Sequence, residues 1–205
     1  MKTLWLIVAL PLTSSCLLAQ GTFIYDQQSS DESAPAEATA LLQTQGPLGQ
    51  SFTPSLAAVW FVRLDLFDRN NGNSKGATVY INVRSDSIAG TILATSTPVF
   101  MPDGFGVGGG GFANFLFAAP VPVTPGIVYY FDLAAQSGSD LWGVRRFVQG
   151  SDYPGGTEYL QGQPGTDDLW FREGIIIPEP GSAALLLLGG GFLFWTRRMR
   201  PYPKN

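Results

Sequence analysis

Clusters of glycine, proline and asparagine break the middle of this chain into short runs. They occur at Asn70-Asn71-Gly72-Asn73-Ser74, Ile88-Ala89-Gly90, Pro102-Asp103-Gly104, Val123-Thr124-Pro125-Gly126 and Tyr153-Pro154-Gly155-Gly156. Such residues supply the left-handed and fixed backbone angles that tight turns need, and they end helices. Between the clusters no amphipathic pattern lasts long enough for an extended helix, whereas runs of strand length fit. Thr78-Val79-Tyr80-Ile81-Asn82-Val83 shows the pattern best, with Val79, Ile81 and Val83 on one side and Thr78, Tyr80 and Asn82 on the other. Further strands are expected at Ser51 to Thr53, Val59 to Phe67 and Ile127 to Leu133. The expected fold class is all-β, a two-sheet antiparallel β-sandwich of jelly-roll-like type over residues 46–175. Residues 20–45, rich in Ser, Ala, Gln and acid, are expected to form a flexible arm, with a short helix near Ala36 to Leu42 as an alternative.

The two ends follow other rules. Lys2 followed by the apolar run Leu4 to Leu12 and then Thr13, Ser14 and Ser15 has the order of a secretory signal peptide. A signal helix is expected over 1–19, with Ala19 before Gln20 as the cleavage point for signal peptidase. Ser14-Ser15-Cys16 leaves lipidation open as an alternative. The tail, residues 176–205, has three parts in sequence: Pro178-Glu179-Pro180, an apolar stretch at about 181–196, and Arg197, Arg198 and Arg200. The apolar stretch is read as a transmembrane helix on the short side of the ~20 residues that a full span takes. Arginines directly after it hold that end on the cytoplasmic side. The body is thereby placed outside the membrane.

These three tail elements resemble the PEP-CTERM sorting signal of exported bacterial proteins. The resemblance implies that Pro178, Glu179 and Pro180 are the recognition element for a membrane-embedded exosortase-type enzyme, with Arg197, Arg198 and Arg200 as the cytoplasmic stop. It also implies a cell-envelope or extracellular-matrix location in company with exopolysaccharide. The longer glycine run Gly189-Gly190-Gly191 and the extension Pro201 to Asn205 depart from the usual pattern. In the body, Gln50-Ser51-Phe52, Val79-Tyr80-Ile81, Gly90-Thr91-Ile92-Leu93-Ala94 and Pro125-Gly126-Ile127-Val128-Tyr129-Tyr130 resemble exported bacterial choice-of-anchor modules. That second resemblance implies a β-sandwich and an exported location, without an activity.

Composition narrows the chemistry. The chain has no histidine, and its one cysteine, Cys16, lies in the expected signal peptide. Histidine-dependent triads and the usual zinc sites are therefore excluded, and the mature domain holds itself together without an internal disulfide. All 16 acidic residues fall between Gln20 and Pro180 beside 7 basic ones, a balance of −9. A body so acidic lacks the electrostatic footprint of a nucleic-acid binder. Gly104 to Gly111 has the glycine content of a phosphate loop but lacks its lysine and hydroxyl, so it reads as a loop, and no cofactor is expected.

Two groups of residues are candidates for binding. Asp65, Asp68, Asn70 and Asn73 offer oxygen ligands to calcium, although their spacing is not that of an EF-hand and turn chemistry is the alternative. Trp142, Tyr153, Tyr159 and Trp170, set among Arg145, Arg146, Gln149, Asp152, Asp167 and Asp168, have the mixture of rings and planar polar groups that binds a polysaccharide. The same tryptophans would serve equally as core residues of late strands. A glycosidase is disfavoured because Asp167 and Asp168 are adjacent, and neighbours on a strand face opposite ways. The expected function is that of a non-catalytic surface or matrix protein, with a carbohydrate-binding module as the alternative.

Overall fold

The computed structural model describes residues 21–30, 32, 38–138, 140–147 and 153–178. They contain strands and turns and no helix. In chain order the strands are β1 Thr22–Gln28, β2 Ala38–Leu41, β3 Leu48–Phe52, β4 Ala58–Asp68, β5 Ala77–Arg84, β6 Ile92–Thr95, β7 Val99–Met101, β8 Phe112–Pro122, β9 Tyr129–Ser137, β10 Trp142–Phe147, β11 Glu158–Leu160, β12 Gln163–Pro164, β13 Asp168–Leu169 and β14 Phe171–Ile177.

They pair into two sheets. In the first, β4 is central, flanked by β8 on one side and β14 on the other, with β1 beyond β14. Near its end β4 passes from β14 to β10, since Leu64 lies opposite Phe171 while Leu66 lies opposite Val144. β10 in turn pairs with β13 and β2. The second sheet runs β12-β11-β3-β9-β5-β6, with β7 also on β5. Pairing is antiparallel throughout the registered ladders, the arrangement of a β-sandwich.

The alternation seen in the sequence sets the core. Val79, Ile81 and Val83 of β5 are fully buried and meet Val62, Leu64 and Leu66 of β4 in one cluster, with Phe52, Phe115, Phe131, Trp142 and Phe171. Burying each such side chain contributes about 1.5–3 kcal/mol, which accounts for a domain held together by packing.

Within the stretch expected as an arm, residues 20–45, the described residues include the strands Thr22–Gln28 and Ala38–Leu41, so residues 38–41 are strand rather than helix. Ser29 donates its backbone N–H to Phe171 O at 3.1 Å, and an added Cβ on Gly174 would lie 2.0 Å from Ile24 O, so β1 runs antiparallel against β14. β1 is a roof as much as an edge. Phe23 and Tyr25 pack edge-on against the outward ring of Phe61, at 4.7 and 5.8 Å between centroids. Farther along that outer face, Arg172 lies over Tyr25 and Trp170 at 4.7 and 5.5 Å. Phe112 meets Trp170 at 4.7 Å. Phe23–Ile177 forms one compact unit. The expected signal helix and membrane segment lie outside the described residues.

Candidate functional site

Trp142, Tyr153 and Trp170, candidates for stacking on sugars, are interior groups with relative exposures of 0%, 6% and 1%. Trp142 and Tyr153 belong to the core cluster, and the Tyr153 ring meets Phe171 at 5.0 Å. The Tyr153 hydroxyl accepts from Thr53 N at 3.0 Å and donates to Gln27 Oε1 at 3.3 Å. Burial pushes its pKa upward. A pyranose could reach none of these three rings without opening the domain. Tyr159 is half-buried, pairs edge-to-face with Tyr130 at 5.6 Å, and lies on the outer face of the second sheet. The sequence carries the amphipathic rings but not their direction, and at strand ends such as Trp142 the inward choice wins because a large apolar area is removed from water.

The arginines among those rings are also committed, each to an ion pair. Arg145 pairs with Asp65 at 3.2 Å, and Arg146 pairs with Glu158 and, at 2.6 Å, with Asp167. Burial raises the carboxyl pKa of Asp65 and of Glu158, with the neighbouring arginine opposing the shift in each case. The adjacent pair Asp167 and Asp168 diverges: Asp167 meets Arg146, while Asp168 accepts from Gln50 Nε2 at 2.6 Å in the interior. Gln149 and Asp152 lie outside the described residues.

The calcium candidates do not converge. Asp65 is held by Arg145, and Asp68 accepts the backbone N–H of Asn70 at 2.8 Å and of Gly104 at 2.9 Å. Asn73 donates to Asp140 at 2.9 Å and accepts from Lys75 N at 2.8 Å. Asp103 completes the arrangement by accepting from Gly72 N and Ser74 N, both at 2.8 Å, and these bonds hold its pKa below the usual range. The oxygens thus fasten two loops to each other, which is turn chemistry. Among the described residues no group of three His, Cys, Asp or Glu side chains is placed to hold a metal ion. Of the sorting residues, Pro178 is exposed at the end of β14. Glu179, Pro180, Arg197, Arg198 and Arg200 lie outside the described residues.

A hollow on the outer face of the second sheet was missed in the sequence. Outward positions of β5 and β9, with β6 beside them, line an open hollow of about 610 Å³. Register builds its floor: Asn82 lies opposite both Asp132 and Thr95, and Tyr80 lies opposite Ala134. Asn82 Nδ2 donates to Asp132 Oδ2 at 3.2 Å, and Thr95 Oγ1 donates to Asn82 Oδ1 at 2.7 Å. Arg84 Nε donates to Asp132 Oδ1, while its Nη1 reaches Gly90 O at 2.7 Å. Tyr80, Ile92 and Pro98 add apolar surface, and exposed Gln136 stands at the rim. The one legible signal was Tyr80 and Asn82 on the outward side of β5. Asp132, Thr95 and Gln136 join them only through long-range pairing.

Compared with protein-family models, curated proteins and solved structures, the chain matches none.

Proposed function

We propose that this chain is an exported envelope protein whose jelly-roll-like sandwich stands outside the cytoplasmic membrane as a non-catalytic surface or matrix module. The observation that carries the reading is the fit of the folded unit between the two terminal signals. β1 starts at Thr22, just after the expected cleavage at Ala19, and β14 ends at Ile177, directly before Pro178. Because β1 and β14 are antiparallel neighbours, Thr22 and Ile177 emerge at the same end of the sheet. A domain with adjacent ends can be released from a leader and held by a tail without distorting its core.

In this reading signal peptidase removes residues 1–19, and an exosortase-type enzyme recognises Pro178-Glu179-Pro180. The segment at about 181–196 and the arginines Arg197, Arg198 and Arg200 hold the tail in the membrane until then. A carbohydrate-binding role is the second reading, favoured by the hollow on β5 and β9. Protease treatment of intact spheroplasts tests the topology: the domain is expected to be digested, and protection would refute export. The double variant Pro178→Ala with Glu179→Gln is expected to leave the tail unprocessed while the domain keeps its melting temperature. Unchanged processing would remove the sorting assignment.

A further inference from the structure

We propose that the hollow over β5, β6 and β9 binds a neutral polysaccharide, taking one or two sugar units of a longer chain. Sugars present two surfaces at once, C–H faces that favour apolar contact and hydroxyls that need directed partners. The hollow offers both, with Tyr80, Ile92 and Pro98 as apolar walls and the Asn82, Arg84, Asp132 and Thr95 network as floor. Ile92 is 48% exposed, whereas Asn82 and Asp132 are 5% and 7% exposed, so the walls are open and the polar floor is recessed.

Charge selects among hydroxyl-rich ligands. Asp132 is neutralised by Arg84, which leaves a floor of polar groups without net charge. The residues between Gln20 and Pro180 carry 16 acids against 7 bases, so an anionic polymer would approach against a repulsive field. The floor is also set in advance. Asp132 is gripped from two directions, Asn82 from two, and Arg84 is anchored at Gly90, so little side-chain freedom is lost on binding. The hollow contains a single carboxylate among its described lining residues, Asp132, and hydrolysis of a glycosidic bond uses a second about 5–10 Å away. The site therefore retains a polymer without cutting it. A hollow this open grips one sugar weakly, and repetition along the polymer and across many displayed copies raises the avidity.

The test uses the full chain purified in detergent, with retention measured on immobilised dextran, galactomannan and mixed-linkage β-glucan, and on alginate as the anionic control. Wild-type protein is expected to be retained by at least one neutral polymer and not by alginate. Tyr80→Ala with Gln136→Ala is expected to weaken retention roughly tenfold. Ala135→Trp, at an exposed lining position, is expected to block the hollow with the fold intact, which covers the case in which loss of the half-buried Tyr80 ring unfolds the domain. Tyr159→Ala, outside the lining, is expected to bind as wild type. The proposal is overturned if folded wild-type protein passes through all three neutral matrices, if it prefers alginate, or if Ala135→Trp binds as tightly as wild type. Export and tail processing are read in separate assays, so either result leaves the sorting proposal where it stood.

Discussion

Glu173 is fully buried on β14, and neither of its carboxyl oxygens meets a hydrogen-bond partner of good geometry among the described residues. Burial, reinforced by Asp26 on the neighbouring strand, pushes its pKa up to about 9 from an ordinary value of 4.5. The folded protein thus keeps this proton where the unfolded chain has already lost it. Unfolding releases a proton between about pH 4.5 and about pH 9, so this group's contribution is complete at the acid end and declines as pH rises across that window. Asp26, Tyr153 and Asp168 surround the same region, and Asp26 is itself committed to the backbone of Ser55 and Leu56 at 2.8 and 2.9 Å. Melting temperatures measured from pH 5 to pH 9 are expected to fall less steeply for Glu173→Gln than for wild type. Parallel curves would mean that Glu173 is ionised in the folded protein.

The glycine-rich connection between β7 and β8 behaves as two pieces. Gly106 and Gly111 lie against β4, where an added Cβ would meet Leu66 O at 2.0 and 1.8 Å. The Leu66 N–H donates to Gly111 O at 2.8 Å, and the Asp68 N–H donates to Phe105 O at the same distance, so the loop extends the ladder of the central strand. Gly108 and Gly109 face open space and need glycine only for their positive φ angles, +90° and +110°. Gly111→Ala is expected to cost about 3 kcal/mol, because rigid backbone must move to admit the methyl group. Gly108→Asn is expected to cost about 1 kcal/mol, since asparagine tolerates the left-handed region. Urea titrations of the two variants separate the cases, and equal midpoints would contradict the division.

At the scale of the whole molecule, one core joins both sheets, and the unit Phe23–Ile177 closes on itself with its first and last strands side by side. Deleting residues 181–205 removes none of the described strands. That truncation is expected to appear in the culture medium as a soluble all-β protein melting within a few degrees of the full chain, checked by circular dichroism. Retention in the membrane fraction would show that something other than the tail holds the protein there. With Cys16 the only cysteine, a reducing agent is expected to leave the melting temperature unchanged. A shift on reduction would point to a disulfide between chains.

Local chemistry was enough to specify some of this. Alternation in β5 announced a strand with Val79, Ile81 and Val83 inward, and the turn residues around it announced sheets rather than helices, because both signals act within a few residues. The cores of β4 and β9 were visible for the same reason. β1 and β8 were not. Ile24 and Tyr25 are partly exposed, and β8 alternates only as far as Phe117 before an exposed run over Ala118–Pro120, so neither shows a clean two-residue period over its length. Which rings turn inward was decided by packing partners a hundred or more residues away, as when Thr53 and Gln27 meet the Tyr153 hydroxyl. The hollow depended most on the tertiary fold. Asp132 reaches Asn82 and Arg84 across separations of 50 and 48 residues, and only the register of β5 against β9 and β6 places a carboxylate, a guanidinium, an amide and a ring on one outward face. Strand periodicity is written in neighbouring residues, whereas a site on a sheet face is a property of how distant strands align.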